Sequence, residues 1–252
     1  MVVFTAQKAE KFNARSMSGH PCRHIDCNSL CRKGKAVTDH KLPIYLLPGM
    51  TPQYPVYSKM LPLLPTARVV PFIDPEPNET LTSYAQRMAS QFAEPCFIGG
   101  VSFGGILAQE IARLIQPAGC IVIASIQKPS QLPPWLRFWR LFGGRHASRI
   151  LNAVGNSANY FPNPIRTSST ARLTELSGES GEWHRWATSA VLDWAPNGPL
   201  ESQILHVHGD ADATFPVRYT EPDTVIRHGR HALPMSHPTE TANAIKNFTR
   251  AA

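Results

Sequence analysis

A chain of 252 residues with 42% hydrophobic side chains can bury the core of one α/β domain or of two small ones. It carries a net charge of +7 and 23 prolines, so extended and loop-rich segments are expected. The basic residues are scattered, with excesses in the first 41 residues and around Arg137, Arg140 and Arg145, and no zinc-finger, RNA-binding or helix-turn-helix signature accompanies them. That pattern reads as solubility with a weak preference for anionic surfaces, not as nucleic-acid binding.

Residues 1–40 are polar, basic and without apolar periodicity, and are expected to form a disordered extension outside the fold. Cys22, Cys27 and Cys31 crowd together there beside His20 and His24, but no second cluster follows to complete a zinc site. No apolar secretory segment opens the chain and no run reaches the length of a membrane span. The chain is therefore expected to be soluble and cytoplasmic. Cys96 and Cys120 each begin an apolar run and read as buried packing residues.

Order begins at Ile44-Tyr45-Leu46-Leu47, a short strand stopped by Pro48-Gly49. A second strand is predicted over 68–72. Leu81, Tyr84, Ala85, Met88 and Phe92 then recur at helical spacing. Cys96-Phe97-Ile98 is the third strand candidate and Ile121-Val122-Ile123-Ala124 the fourth. Between them Ile106, Leu107, Ile111, Leu114 and Ile115 mark a helix with Gln109, Glu110 and Arg113 on its other faces. The strand candidates are apolar throughout instead of alternating, which suits strands covered on both sides. Strand–helix alternation of this kind implies a doubly wound, mostly parallel sheet.

Residues 127–200 interrupt that alternation and carry all five tryptophans. This segment is expected to be a helical cap inserted late in the sheet, with Trp135, Trp139 and Trp186 as candidate substrate contacts. Around Trp135–Phe142 it also offers a basic, apolar patch that could touch a membrane surface. Sheet order resumes at 204–208 and 224–226, and a helix is predicted over about 239–248. The expected organisation is thus an extension over 1–40 and one domain over 41–252.

Within that frame Ser102 lies in Gly100-Val101-Ser102-Phe103-Gly104, between a strand candidate and an amphipathic helix. A G-x-S-x-G match alone is weak, but this is the context a nucleophile elbow requires. Gly100 and Gly104 would let strand and helix cross closely. A serine hydroxyl is a poor nucleophile near neutral pH and needs a base, and the base needs an orienting group. His208-Gly209-Asp210-Ala211-Asp212 and Arg230-His231-Ala232 follow later strands, and residues at the carboxyl ends of parallel strands converge on one rim. Asp212 is preferred to Asp210, which directly follows Gly209 and suits a turn. His231 is preferred to His228 and His237. The backbone amides of Phe103 and of Met50 are the candidate oxyanion donors.

On Leu47-Pro48-Gly49-Met50, Gly100-Val101-Ser102-Phe103-Gly104, His208-Gly209-Asp210-Ala211-Asp212 with Pro216 beyond, and His231 before the last helix, the stretch from Leu42 onward resembles the α/β-hydrolase superfamily. Within it the chain is similar to compact esterases and thioesterases. The expected substrate is a small-molecule ester or thioester, with no metal; the resemblance itself implies a serine nucleophile and an acyl-enzyme route with no cofactor. It names no particular substrate, because the fold hosts many chemistries. Three features depart from the pattern: Arg230 stands where a glycine usually precedes the histidine, the oxyanion loop lacks a His-Gly pair, and the first strands of the full sheet are missing. Two other readings compete. His206-x-His208-x-Asp210 approaches a metallohydrolase signature, with both histidines on one strand face. The same fold could also serve as a noncatalytic binding module built around the aromatic cap.

Overall fold

The computed structural model describes residues 42–52, 55–93, 95–146 and 181–251. The expected extension over 1–40, with its three cysteines, and the middle of the expected cap lie outside the described residues. Six short runs form strands: β1 (Ile44–Leu47), β2 (Ala67–Val69), β3 (Phe97–Val101), β4 (Gly119–Ile123), β5 (Ile204–Gly209) and β6 (Thr224–Ile226). They make one sheet in the order β2-β1-β3-β4-β5-β6, with every pairing parallel. Five helices flank or follow these strands, α1 (Leu81–Ala89), α2 (Phe103–Ile115), α3 (Pro134–Arg140), α4 (Gly181–Asp193) and the short α5 (Leu233–Ser236), before the final α6 (Pro238–Ala251).

The parallel, doubly wound sheet expected from the apolar runs is the one observed, with shifted boundaries. β2 ends before the expected stretch is complete: Val70 still donates to the Leu46 carbonyl at 3.0 Å, but the next donor in this register would be Pro48, which has no N–H. β3 runs on through Gly99 and Gly100 to Val101, since its neighbours supply the pairing that glycines do not favour by themselves.

Alternate side chains of the strands enter two cores. Tyr45, Leu47, Ile98 and Val122 pack with α1 and α2 on one face. Ile44, Leu46, Ile121, Ile123 and Val207 pack with Met60 and with Ile245 of α6 on the other. Burial on both faces is why these strands lack polar alternation. α1 starts at Thr80, whose hydroxyl accepts the Ser83 amide, in a capping box.

α2 departs from its expected amphipathic pattern. Gln109 and Glu110 are buried, and each is satisfied internally. The Gln109 amide donates to the carbonyls of Gly105 and Ile126. Glu110 accepts from Arg113 and from the Trp194 indole, both at 2.9 Å. The helix is central to the domain, and its polar residues bond where they would otherwise cost desolvation.

The strand order reverses at β1, which has β2 on one side and β3 on the other. Such a reversal opens a crevice at the carboxyl ends of the two central strands. The loop after β1 and the turn after β3 border it. Between β4 and β5 lie α3 and α4, which pack against each other. Trp135, Phe138, Leu141 and Phe142 on and after α3 are exposed. Among the described residues, no helix is long and apolar enough to cross a membrane.

Candidate active site

The turn from β3 into α2 sets the geometry around Ser102. Its backbone adopts φ 55° and ψ −122°, a conformation L-residues seldom take. Neighbouring groups hold it there. The Ser102 amide donates to the Ile123 carbonyl at 3.0 Å. Its carbonyl accepts from the Ser125 hydroxyl at 2.6 Å and from the Gly105 amide at 2.9 Å. A Cβ on Gly100 would lie 2.3 Å from the Gly104 carbonyl, and one on Gly104 would lie 2.2 Å from the Pro48 carbonyl oxygen. These two glycines therefore bring β3, α2 and the end of β1 into backbone contact.

That contact places the loop after β1 beside the serine. The Tyr57 hydroxyl donates to the Leu47 carbonyl at 2.7 Å and fixes the strand end. Gly49, Met50, Thr51, Val56, Val101, Ser102, His231 and Ala232 line a cavity of about 180 Å³. Phe103 is the first residue of α2, so its amide belongs to the helical turn that has no intrahelical acceptor. Met50 and Phe103 thus flank the serine from two different elements.

His231 lies between Ser102 and Asp212. Its Nδ1 is 2.9 Å from Asp212 Oδ2, and its Nε2 is 2.8 Å from Ser102 Oγ. A carboxylate can only accept, so Nδ1 carries the proton and Nε2 presents its lone pair to the serine O–H. The Phe215 ring meets the imidazole edge-on at 5.6 Å. His228 is exposed at a positive φ of 58°, and His237 pairs with the Ser236 hydroxyl. Neither lines the cavity at Ser102. Asp210 is exposed, whereas Asp212 is buried beside His231.

Burial alone would raise the Asp212 carboxyl. Hydrogen bonds from His208 and His231, the positive charge His231 can carry and the Phe215 amide overcome that and hold it well below the usual carboxylate range. Its other oxygen, Oδ1, accepts from the amides of Thr214 and Phe215 at 2.8 and 3.0 Å. A carboxylate so surrounded stays ionised and aimed.

Sequence reasoning placed His208 only in the competing metallohydrolase reading. His208 is fully buried, and its Nε2 donates to the Phe215 carbonyl at 2.7 Å while lying 3.4 Å from Asp212 Oδ2. That donation makes Nδ1 of His208 the acceptor for the His206 Nε2–H at 3.0 Å. The two histidines share one strand face as expected, yet His206 Nε2 bonds His208 and His208 Nε2 bonds the Phe215 carbonyl, leaving His206 Nδ1 buried without a hydrogen-bond partner among the described residues, while Asp210 is exposed. Among the described residues, no group of three or more His, Cys, Asp or Glu is arranged to hold a metal ion.

The three tryptophans expected at the substrate do not line the cavity at Ser102. Trp186 donates its indole N–H to the Glu79 carbonyl at 2.9 Å and packs on Tyr84 and Phe103, so it braces the wall behind the serine. Trp139 packs with Phe138 and Phe142. Trp135 borders a separate cavity of about 410 Å³ together with Asp210, Asp212 and Arg218. Aromatic residues in an insertion first have to build its own core, which composition alone does not distinguish from substrate contact.

A family model described as "Alpha/beta hydrolase family" matches residues 44–244. An esterase from Thermogutta terrifontis superposes with a TM-score of 0.58 at 20% identity, covering 83% of this chain and 90% of that one. A hydrolase from Pseudomonas aeruginosa PA01 gives 0.60 at 16% identity, with the same coverage of 83% and 90%. The type II thioesterase BorB from the borrelidin biosynthetic cluster gives 0.54 at 18% identity, covering 84% and 94%. At these identities the likeness speaks for the fold. No curated protein matches the sequence.

Proposed function

Because the chain belongs to the alpha/beta hydrolase family, we propose that it is a serine hydrolase cleaving an ester or thioester through an acyl-enzyme. The observation that carries this reading is the pair of hydrogen bonds at His231, 2.9 Å to Asp212 and 2.8 Å to Ser102. The esterase and the thioesterase among the similar folds favour these two substrate classes.

In this mechanism His231 takes the proton from Ser102 as the serine oxygen attacks the carbonyl carbon. The carbonyl π electrons move onto oxygen, and the amides of Met50 and Phe103 stabilise the oxyanion. Asp212 keeps the imidazole in the required tautomer and balances the imidazolium. His231 protonates the departing alcohol or thiol, then activates water, which releases the acid and frees the serine. No cofactor takes part in these steps. The described parts of the segment over 127–200, residues 127–146 and 181–200 with α3 and α4, serve as the cap beside this rim of the sheet.

Turnover of 4-nitrophenyl acetate and of an acetyl thioester by the full chain tests the reading. Ser102→Ala and Asp212→Asn are expected to lose about 10³-fold or more of the wild-type rate. Wild-type rates in Ser102→Ala would exclude it.

A further inference from the structure

The two candidate oxyanion amides sit on elements of unequal stiffness. Phe103 opens α2 and is fully buried. Met50 lies in an irregular loop, and its attachment comes from α4, far away in sequence. The Trp183 indole N–H donates to the Met50 carbonyl at 2.7 Å. Five residues further along α4, the Thr188 hydroxyl donates to the Met50 sulfur at 3.8 Å. Held at its carbonyl oxygen and at its sulfur, Met50 has little room to shift its Cα, which limits where its amide nitrogen can sit.

The same indole packs on the side chain of the residue that carries the second donor. Its ring meets the Phe103 ring edge-on at 5.9 Å and stacks on Phe72 at 4.9 Å. α4 is itself anchored by Trp186, whose indole bonds the Glu79 carbonyl. We propose that Trp183 is a positioning residue for the oxyanion site: its N–H holds the Met50 carbonyl while its ring packs on the Phe103 side chain, so that α4 keeps Met50 and Phe103 in place beside the serine. This role rests on the serine-hydrolase reading, since it has meaning only if an oxyanion forms at Ser102.

Removing one oxyanion donor outright typically costs ~10²–10³ in turnover, and misaiming one should cost a fraction of that. Trp183→Phe keeps an aromatic ring but removes the N–H. With 4-nitrophenyl acetate, kcat is expected to fall at least about tenfold while KM stays within about threefold. Affinity for 1,1,1-trifluoro-2-butanone, which adds to a serine as an oxyanionic hemiketal, should fall in parallel with kcat/KM. A purely structural role would lower the melting temperature without this split. Should Trp183→Phe fail to fold, replacing Trp183 by benzothienylalanine keeps the bicyclic shape without the donor, and the same losses are expected.

A kcat within about threefold of wild type in whichever variant folds, or a loss confined to KM, overturns the positioning role. A wild type whose turnover survives Ser102→Ala overturns the serine-hydrolase reading and this role with it. An active, Ser102-dependent wild type with an indifferent Trp183 variant overturns this role alone.

Discussion

Gly209 and Gly229 lie backbone against backbone: a Cβ on Gly209 would sit 2.2 Å from the Gly229 carbonyl oxygen. Gly209 closes β5 and Gly229 follows the end of β6, so this contact joins the loop bearing Asp212 to the loop bearing His231. The Ala211 amide completes it by donating to the Gly229 carbonyl at 3.0 Å. It also explains Arg230. The close approach falls at residue 229, which leaves residue 230 exposed and free to be arginine.

Gly209→Ala should therefore separate the two loops. The expected cost is about 1–3 kcal/mol of stability from overpacking, with a fall in turnover as the His231–Asp212 distance grows. Urea unfolding and steady-state kinetics on one preparation check both. Unchanged values in each would mean that the backbone contact does not hold the loops.

The backbone at Ser102 supplies a second prediction. A non-glycine residue at φ 55° and ψ −122° is strained. Ser102→Gly should be more stable than Ser102→Ala by about 1 kcal/mol, despite glycine's greater freedom in the unfolded chain. Both should be inactive. Calorimetric melting of the pair decides the point, and an alanine variant as stable as the glycine variant would show that the turn stores no strain.

A third prediction concerns acid. Burial, aided by the neighbouring His208, lowers the His206 imidazole to about 4 from its ordinary 6.5, against weaker opposing contributions from the Ser125 backbone and Asp223. Between those values the unfolded chain takes up a proton that the folded chain refuses. The His206 contribution is thus complete above the unfolded value and is lost as pH falls toward about 4, by as much as about 3 kcal/mol. Asp212, shifted downward from 3.8, loses its contribution only at still lower pH. Urea unfolding between pH 4.5 and 7 should therefore show stability rising with pH. His206→Gln, which retains a donor toward His208, should flatten that slope; a slope identical to wild type would exonerate His206.

The sheet was readable because its strands are buried on both faces and so appear as unbroken apolar runs. Ser102 could be found because strand, glycine-flanked serine and helix follow one another in a short window. Choosing Asp212 and His231 rested on the convergence of strand ends, and on setting aside Asp210 as a turn residue and His228 and His237 as flanking the loop. Trp183 could not be found this way: its partner Met50 lies 133 positions away and offers a carbonyl, which every residue has. Nor could His208, whose strand-face pairing with His206 reads equally as metal ligation until the Phe215 carbonyl is seen to use its proton. Gln109 and Glu110 misled for a related reason, since a polar residue on a helix reads as solvent-facing until its buried partners are known.

The central claim, that His231 activates Ser102 as a nucleophile, is tested most directly by a fluorophosphonate reagent with peptide mapping. The account predicts a single adduct on Ser102, forming in wild type and suppressed by about 10³-fold or more in His231→Ala. No adduct on Ser102 in folded wild-type protein, or labelling at an equal rate without the imidazole, would contradict it.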